Sequence, residues 1–423
     1  MTSTTPALPR LKAIAALADA LSTALAAPGP PHPHDDGGPR SPRWTDQSLS
    51  KGAAGVAVLH GVRARHDPRH RDAAHAWLAQ ATSEDLDGGP GAGLWFGASA
   101  VALALSVAAP DRYPATTTRL HIAVTGIVRT RLAAAHARID AAVRPSLSEF
   151  DLVRGLTGLG AYLLHRDPHG DQLPRVLSYL VRLTEPVGAD DPAGTRVPGW
   201  WTSDIPHDQP DPAWKAGHGN AGMAHGISGP LTLLAHTMRH GITVAGHADA
   251  IDRITDWLDT YRQDNPAGAW WPERLTLTDH DTARPHQPGP ARPSWCYGTP
   301  GLARAQQLAA IARHDAARQD AAEHALLQCL RDPTQLATLT STAICHGWAG
   351  LVLTTCRIAA DARTTDLAHH LPALSATLLD RARDAGTHPR TGLIEGSAGV
   401  ALTLHHLITG TGTADWLTCL LLG

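Results

Sequence analysis

The sequence predicts an all-α protein assembled from repeated helical hairpins, and three observations carry that expectation. Alanine and leucine dominate, while Phe and Tyr number only 2 and 5 and β-branched runs are short, a composition that favours helix over sheet. A Gly-x-x-Gly element followed by an apolar stretch recurs along the chain. Reactive residues stand just before the glycines of different copies and must converge to act together, so the array is expected to close on itself rather than extend as an open solenoid.

Taken in order, Leu11, Ile14, Leu17, Leu21 and Leu25 recur at spacings of three and four, which predicts an amphipathic first helix packing on the body. Lys12 before an alanine-rich stretch imitates a signal peptide, but Asp19 interrupts it. Residues 28–43 are rich in Pro and Gly and read as an exposed loop. Residues 1–48 are therefore expected to form a helix and loop packed on a single seven-repeat body, residues 49–423.

The copies begin at Gly52, Gly155, Gly226, Gly298, Gly347 and Gly396, with a degenerate one at Gly97 whose second small residue is Ala100. Each step holds two helices; between Gly347 and Gly396 they are expected near residues 350–362 and 365–385. Glycines three apart share one face of a helix start, where the missing Cβ admits a neighbouring backbone and leaves room for a ligand. Two long insertions carry tryptophans: Trp200, Trp201 and Trp214 before the fourth glycine element, and Trp270 and Trp271, within residues 265–294, before the fifth. Such aromatic loops either grip a peptide or cover the end of the barrel.

Lys plus Arg total 36 against 39 for Asp plus Glu, a balance that argues against nucleic acid or an anionic membrane as partner. No apolar run approaches the roughly 20 residues that span a bilayer. Five cysteines, an odd number in a long chain, suit metal binding or thiol chemistry in a reducing compartment, which points to the cytoplasm.

Cys296 lies two residues before Gly298, in "SWCYGTPG", and Cys345 takes the same place before Gly347, followed by His346, in "AICHGWAG". Two thiolates and an imidazole one repeat apart are a borderline-soft set suited to zinc, and three ligands leave the fourth position that marks a catalytic site. A thiol entering that position is deprotonated near neutral pH. Cys329, Cys356 and Cys419 lack this placement and read as core residues. Asp151, His225 and Arg292 stand at comparable places and are candidate acid, base and anion stabiliser. Asp151 alternatively caps the coming helix, Arg292 alternatively pairs with a surface carboxylate, and His218 is a weaker rival to His225.

With these residues assembled, the sequence resembles the lanthionine synthetase C-like family, the cyclases of class I lanthipeptide (lantibiotic) biosynthesis. The resemblance covers about residues 49–420 and is carried by "GNAGMAHGISGPLTLL", "WCYGTPG" and "CHGWAG". It implies an α/α toroid of seven inner and seven outer helices with one central zinc, held by Cys296, Cys345 and His346 with water or a substrate thiolate as fourth ligand. It places His225, Asp151, Arg292 and Tyr297 in the active site, His225 as proton donor, Asp151 as its tuner or an auxiliary base, and Arg292 as the enolate's partner. The implied substrate is a leader-bearing precursor peptide whose Ser and Thr have been dehydrated, and the product a lanthionine or methyllanthionine ring. A separate dehydratase and a transporter are the implied partners. Two alternatives use the same site: addition of glutathione to dehydrated residues, and a non-catalytic zinc-containing scaffold that binds a peptide.

Overall fold

The computed structural model of the protein describes residues 10–29, 46–188, 194–206, 212–386 and 390–423; most of the 28–43 segment lies outside these. Helix α1 (Leu11–Ala24) is followed by hairpins in which an apolar helix precedes an amphipathic one. These are α2 (Ala53–Ala64) and α3 (His70–Ala81), α4 (Ala98–Ala108) and α5 (Pro114–Asp140), α6 (Leu156–Arg166) and α7 (Gln172–Leu183), α8 (Ser228–Arg239) and α9 (His247–Thr260), α10 (Thr299–Arg313) and α11 (Ala316–Arg331), and α12 (Trp348–Asp361) and α13 (Asp366–Ala385), with α14 (Ser397–Thr409) last. The pattern of each member decides its layer. In α7 the buried Leu173, Val176, Leu177 and Leu180 form one stripe, which places it outside, whereas α2 is buried from Ala53 to Arg63 without a polar face.

The even-numbered helices pack side by side in chain order, and α14 returns to α2, closing a ring of seven. The odd-numbered helices form the outer layer. The seventh outer place, behind α14, is taken by α1, so the first helix of the chain completes the last hairpin. Arg10 pairs with Asp380 at 2.8 Å, Arg63 pairs with Asp19, and the Leu25 carbonyl accepts from Trp77 Nε1 and meets His60 Nε2, both at 2.7 Å. The result is an α/α toroid.

Each inner helix starts from a turn, and the seven turns are stitched to one another by backbone hydrogen bonds. Leu49 N–H donates to Trp95, Trp95 to Val153, Leu152 to Ala224, Met223 to Cys296, Cys296 to Cys345, Cys345 to Ile394 and Leu393 back to Leu49, at 2.9–3.4 Å. This circuit leaves no open edge.

The second glycine of each element has a specific cause. A Cβ on Gly350 would lie 1.9 Å from the Ile344 carbonyl oxygen and one on Gly158 2.1 Å from that of Leu152, each six residues earlier. The turn folds back across the start of its own helix, so the group nearest these glycines is the chain's own carbonyl; at Gly55 the neighbouring turn also approaches, with Leu393 N 3.0 Å from the Cβ position. Gly298 adds a second constraint, with φ at 99°, a region closed to most side chains.

The insertions pair with each other. Gly219 and Asn220 form a short antiparallel ladder with Leu275 and Arg274, which ties the segment before α8 to the segment before α10. Trp200, Trp201, Trp214, Trp270 and Trp271 retain between 0 and 6% exposure, so of the two readings of these tryptophans the structure selects the covering one. They are core: Trp271 donates to the Leu258 carbonyl and Trp200 meets Trp257 edge-on at 5.5 Å.

After α14 a 3-10 segment, Gly410–Leu420, turns into the ring and fills its lumen. The Leu420 carbonyl accepts from Trp295 Nε1 (3.0 Å), that of Leu421 faces His236 Nε2 (3.2 Å), and that of Leu422 accepts from Arg357 Nε (2.8 Å). Cys329 and Cys419 are buried and Cys356 is half-buried on α12. Among the described residues no helix is long and apolar enough to cross a membrane.

Gly350→Ala is expected to lower unfolding stability by at least about 2 kcal/mol because its methyl group meets fixed backbone. Gly126→Ala, in the half-buried middle of α5 where a Cβ meets only the end of Arg129 at 3.9 Å, is expected to raise it by up to about 1 kcal/mol. Chemical denaturation of the two variants checks the contrast.

Candidate metal centre

The turns before α10 and α12 carry the two cysteines, and the circuit brings them together directly: the Cys296 N–H donates to the Cys345 carbonyl at 3.2 Å. Adjacent turns in register therefore place Cys296 Sγ, Cys345 Sγ and a ring nitrogen of His346 within 4.8 Å of one another. Zinc–sulfur and zinc–nitrogen bonds of about 2.3 and 2.0–2.1 Å give ligand separations within that span, so the donor set fits a zinc ion in both chemistry and spacing. Hydrogen bonding with Cys345 pulls the Cys296 thiol down, burial resists, and His346 and Ser294 add to the pull, leaving its pKa well below the ordinary value.

His225 and Asp151 meet two junctions away, between the turns before α6 and α8. His225 Nδ1 lies 2.7 Å from Asp151 Oδ2, with the carboxylate buried and the imidazole 40% exposed. The two carboxylate oxygens of Asp151 make different contacts. Its Oδ1 accepts from the N–H groups of Arg154 and Gly155 at 2.6 and 2.8 Å, capping the turn, and its Oδ2 holds the histidine. Burial lowers the His225 pKa, but the hydrogen bond and charge of Asp151 and the nearby Cys296 outweigh it, and the net shift is upward. His218 is buried elsewhere, bridged to Thr202 and against Trp214.

Arg292 is exposed and has no carboxylate partner among the described residues; its charge bears on Cys345. Tyr297 is pinned by Asn220, whose Nδ2 donates to its hydroxyl at 2.9 Å, and by Arg274, stacked 5.6 Å over its ring. Burial pushes its pKa to about 12, so the phenol stays neutral.

One regularity goes beyond the residues singled out from the sequence. The residue immediately before the first glycine is partly or fully exposed in every copy, although the glycine itself is buried: Lys51, Phe96, Arg154, His225, Tyr297, His346 and Glu395. They form a rim of seven side chains around one mouth of the toroid. The phase used to select His225 and His346 extends to Arg154 and Glu395, the latter close enough to bear on Cys345. Asn220 and Arg274 carried no such signal, because they reach Tyr297 through the pairing of two insertions.

Fold and site together define a closed helical toroid with a two-cysteine, one-histidine cluster on its rim. Residues 43–421 match the model of the lanthionine synthetase C-like proteins, and the chain belongs to that family. Among curated proteins it is similar to the nisin biosynthesis protein NisC of Lactococcus lactis subsp. lactis, 21% identical over 278 residues, 65% of this chain and 64% of NisC. The match thus spans less than two thirds of that relative. Among solved structures it is similar to nisin cyclase, with a TM-score of 0.76, 18% identity and 97% of each chain covered, a likeness of fold.

Two outcomes are expected. On zinc reconstitution the wild-type chain and His225→Asn take up about one ion, whereas Cys296→Ala and Cys345→Ala fail to retain it, because two remaining ligands hold zinc weakly; elemental analysis after dialysis reads this directly. In the zinc-free protein the His225 proton is retained above the ordinary pH of about 6.5. Asp151→Asn removes the raising charge and leaves burial to act, so the midpoint, followed by NMR, falls below that of the wild-type chain.

Proposed function

We propose that the protein closes thioether rings in dehydrated peptides, by adding a peptide cysteine thiolate to a dehydroalanine or dehydrobutyrine. The observation that carries this reading is the placement, on one rim, of a three-ligand thiolate–imidazole cluster one turn from a carboxylate-held histidine, in a chain of this family. The names of the two relatives, a nisin biosynthesis protein and a nisin cyclase, support the same activity.

Cys296, Cys345 and His346 would hold zinc, which when bound lowers the pKa of an incoming thiol and so supplies a nucleophile near neutral pH. The chain's own groups do the rest. His225 gives up its Nδ1 to Asp151, which leaves Nε2 directed toward the mouth. Asp151 favours the charged imidazolium, so a proton is in place when the alkene accepts the sulfur and its α-carbon becomes basic. Tyr297, fixed and neutral, directly follows Cys296 and stands on the turn next to that of His225. The filled lumen leaves the rim as the approach.

The dehydrated residues must be made beforehand, and a separate dehydratase and a transporter are the partners that the family resemblance implies for this reading. A cytoplasmic site of action fits the free cysteines.

Incubation with a dehydrated precursor peptide, followed by thiol alkylation and mass measurement, tests the proposal. Ring closure preserves mass, so the expected readout is the disappearance of alkylatable cysteine; cysteine that stays fully alkylatable after prolonged incubation overturns the reading. His225→Asn is expected to slow closure by about 10²-fold or more with zinc retained, and an unchanged rate would remove His225 from the chemistry.

A further inference from the structure

We propose that Arg154 is a further substrate-contacting residue, whose guanidinium takes the carbonyl oxygen of the dehydrated residue at the His225 end of the rim. The proposal rests on the cyclase reading above and adds a group to it.

Arg154 is the rim residue of the turn before α6, the neighbour of His225 in the ring, and the two turns are joined by the bond from Leu152 N–H to the Ala224 carbonyl at 3.2 Å. Its backbone is held on both sides. The N–H donates to Asp151 Oδ1 at 2.6 Å, the carbonyl accepts from Arg131, and Gly93 presses so close that a Cβ there would lie 2.6 Å from the Arg154 oxygen. One carboxylate therefore fixes both the Cα of Arg154 and, through its other oxygen, the ring of His225. The side chain, by contrast, is exposed, and among the described residues its guanidinium has no hydrogen-bond or ion-pair partner. Its charge reaches His225.

The chemistry needs a cation there. As the S–Cβ bond forms, the electron pair of the alkene moves onto the α-carbon and its carbonyl oxygen; a proton from His225 Nε2 then closes the α-carbon, and His225 regains from solvent the proton the thiol lost on ionising. The carbonyl oxygen lies about 2.4 Å from the α-carbon, so a histidine that reaches the α-carbon brings the oxygen to its own side of the rim. Arg292, which the family resemblance implies as the enolate's partner, stands exposed on the turn before α10, and Arg154 adds a second cation on the turn at the other side of His225, beside the developing oxyanion.

The test compares the wild-type chain, Arg154→Gln, Arg154→Lys and Arg154→Gly on a synthetic peptide with one cysteine and one dehydroalanine, with the uncatalysed reaction as baseline. Arg154→Gln is expected to lower kcat by about 10²-fold, with zinc content and unfolding midpoint unchanged, and Arg154→Lys to keep part of the activity. Millimolar methylguanidinium is expected to restore part of the kcat of Arg154→Gly, which a structural role would not allow. A kcat for Arg154→Gln within about threefold of wild type, or a loss that comes with loss of zinc and resists methylguanidinium, overturns the assignment of Arg154 while the cyclase reading stands. A wild-type rate equal to the baseline overturns both.

Discussion

The closed circuit of backbone hydrogen bonds through the seven turns is the constraint on which the structure depends. A turn that folds back over its own helix start exposes peptide groups that must find partners, and here each turn finds them in the next, from Leu49 to Trp95 and round to Leu393 and back to Leu49. Because the bonds join equivalent positions, all seven inner helices begin at one level. Phase in the sequence then becomes height in the structure, and the residue before each glycine becomes a rim residue whatever its chemistry. The second glycine is the local condition at most turns: at Gly350 the Ile344 oxygen would lie 1.9 Å from a Cβ, so a side chain there would force the turn to shift.

The ligand cluster follows from that circuit. Cys296 and Cys345 are 49 positions apart in sequence but joined by a single backbone hydrogen bond, and His346 needs only to extend from the same turn. The pair of Asp151 and His225 arises in the same way two junctions earlier. Ser48 and Asp151 stand four residues before their first glycines and each caps its own turn; the carboxylate differs from the hydroxyl in having a second oxygen, and that oxygen orients the histidine. The change from hydroxyl to carboxylate at this position thus adds a contact with the next turn.

What was legible in the sequence was what the repeat encodes locally. The apolar and amphipathic periods, the order of glycines and the shared offset of Cys296, Cys345, His346 and His225 survive folding unchanged. What was hidden depends on contacts between distant segments. The burial of Trp200 and Trp271 requires Gly219–Asn220 to pair with Arg274–Leu275, and nothing in either stretch announces its partner. Leu11 to Leu25 show an amphipathic helix but not that it fills the place behind α14. The glycines show that a close approach exists, but the approaching group is the carbonyl six residues earlier, a fold-back that no helical or extended period describes. Arg154 was visible in phase and unremarkable in type, because an exposed arginine is usually only solvated surface.

The C-terminal segment closes the lumen and leaves the candidate site open only at its rim. A ring of seven helices encloses a lumen that side chains of the Ala-rich inner helices are too small to fill, and Trp416, Leu417 and Leu420–Leu422 occupy it instead. Their carbonyls are satisfied by Trp295, His236 and Arg357, side chains contributed from around the ring. Trp295 directly precedes Cys296, so the same segment that fills the lumen also supports the backbone of a ligand from below. The two insertions act on that turn from above, through Asn220 and Arg274 on Tyr297. The sequence between Trp295 and Tyr297 is therefore clamped from both sides, and the thiol between them is held at a fixed height on the rim by groups that never touch it.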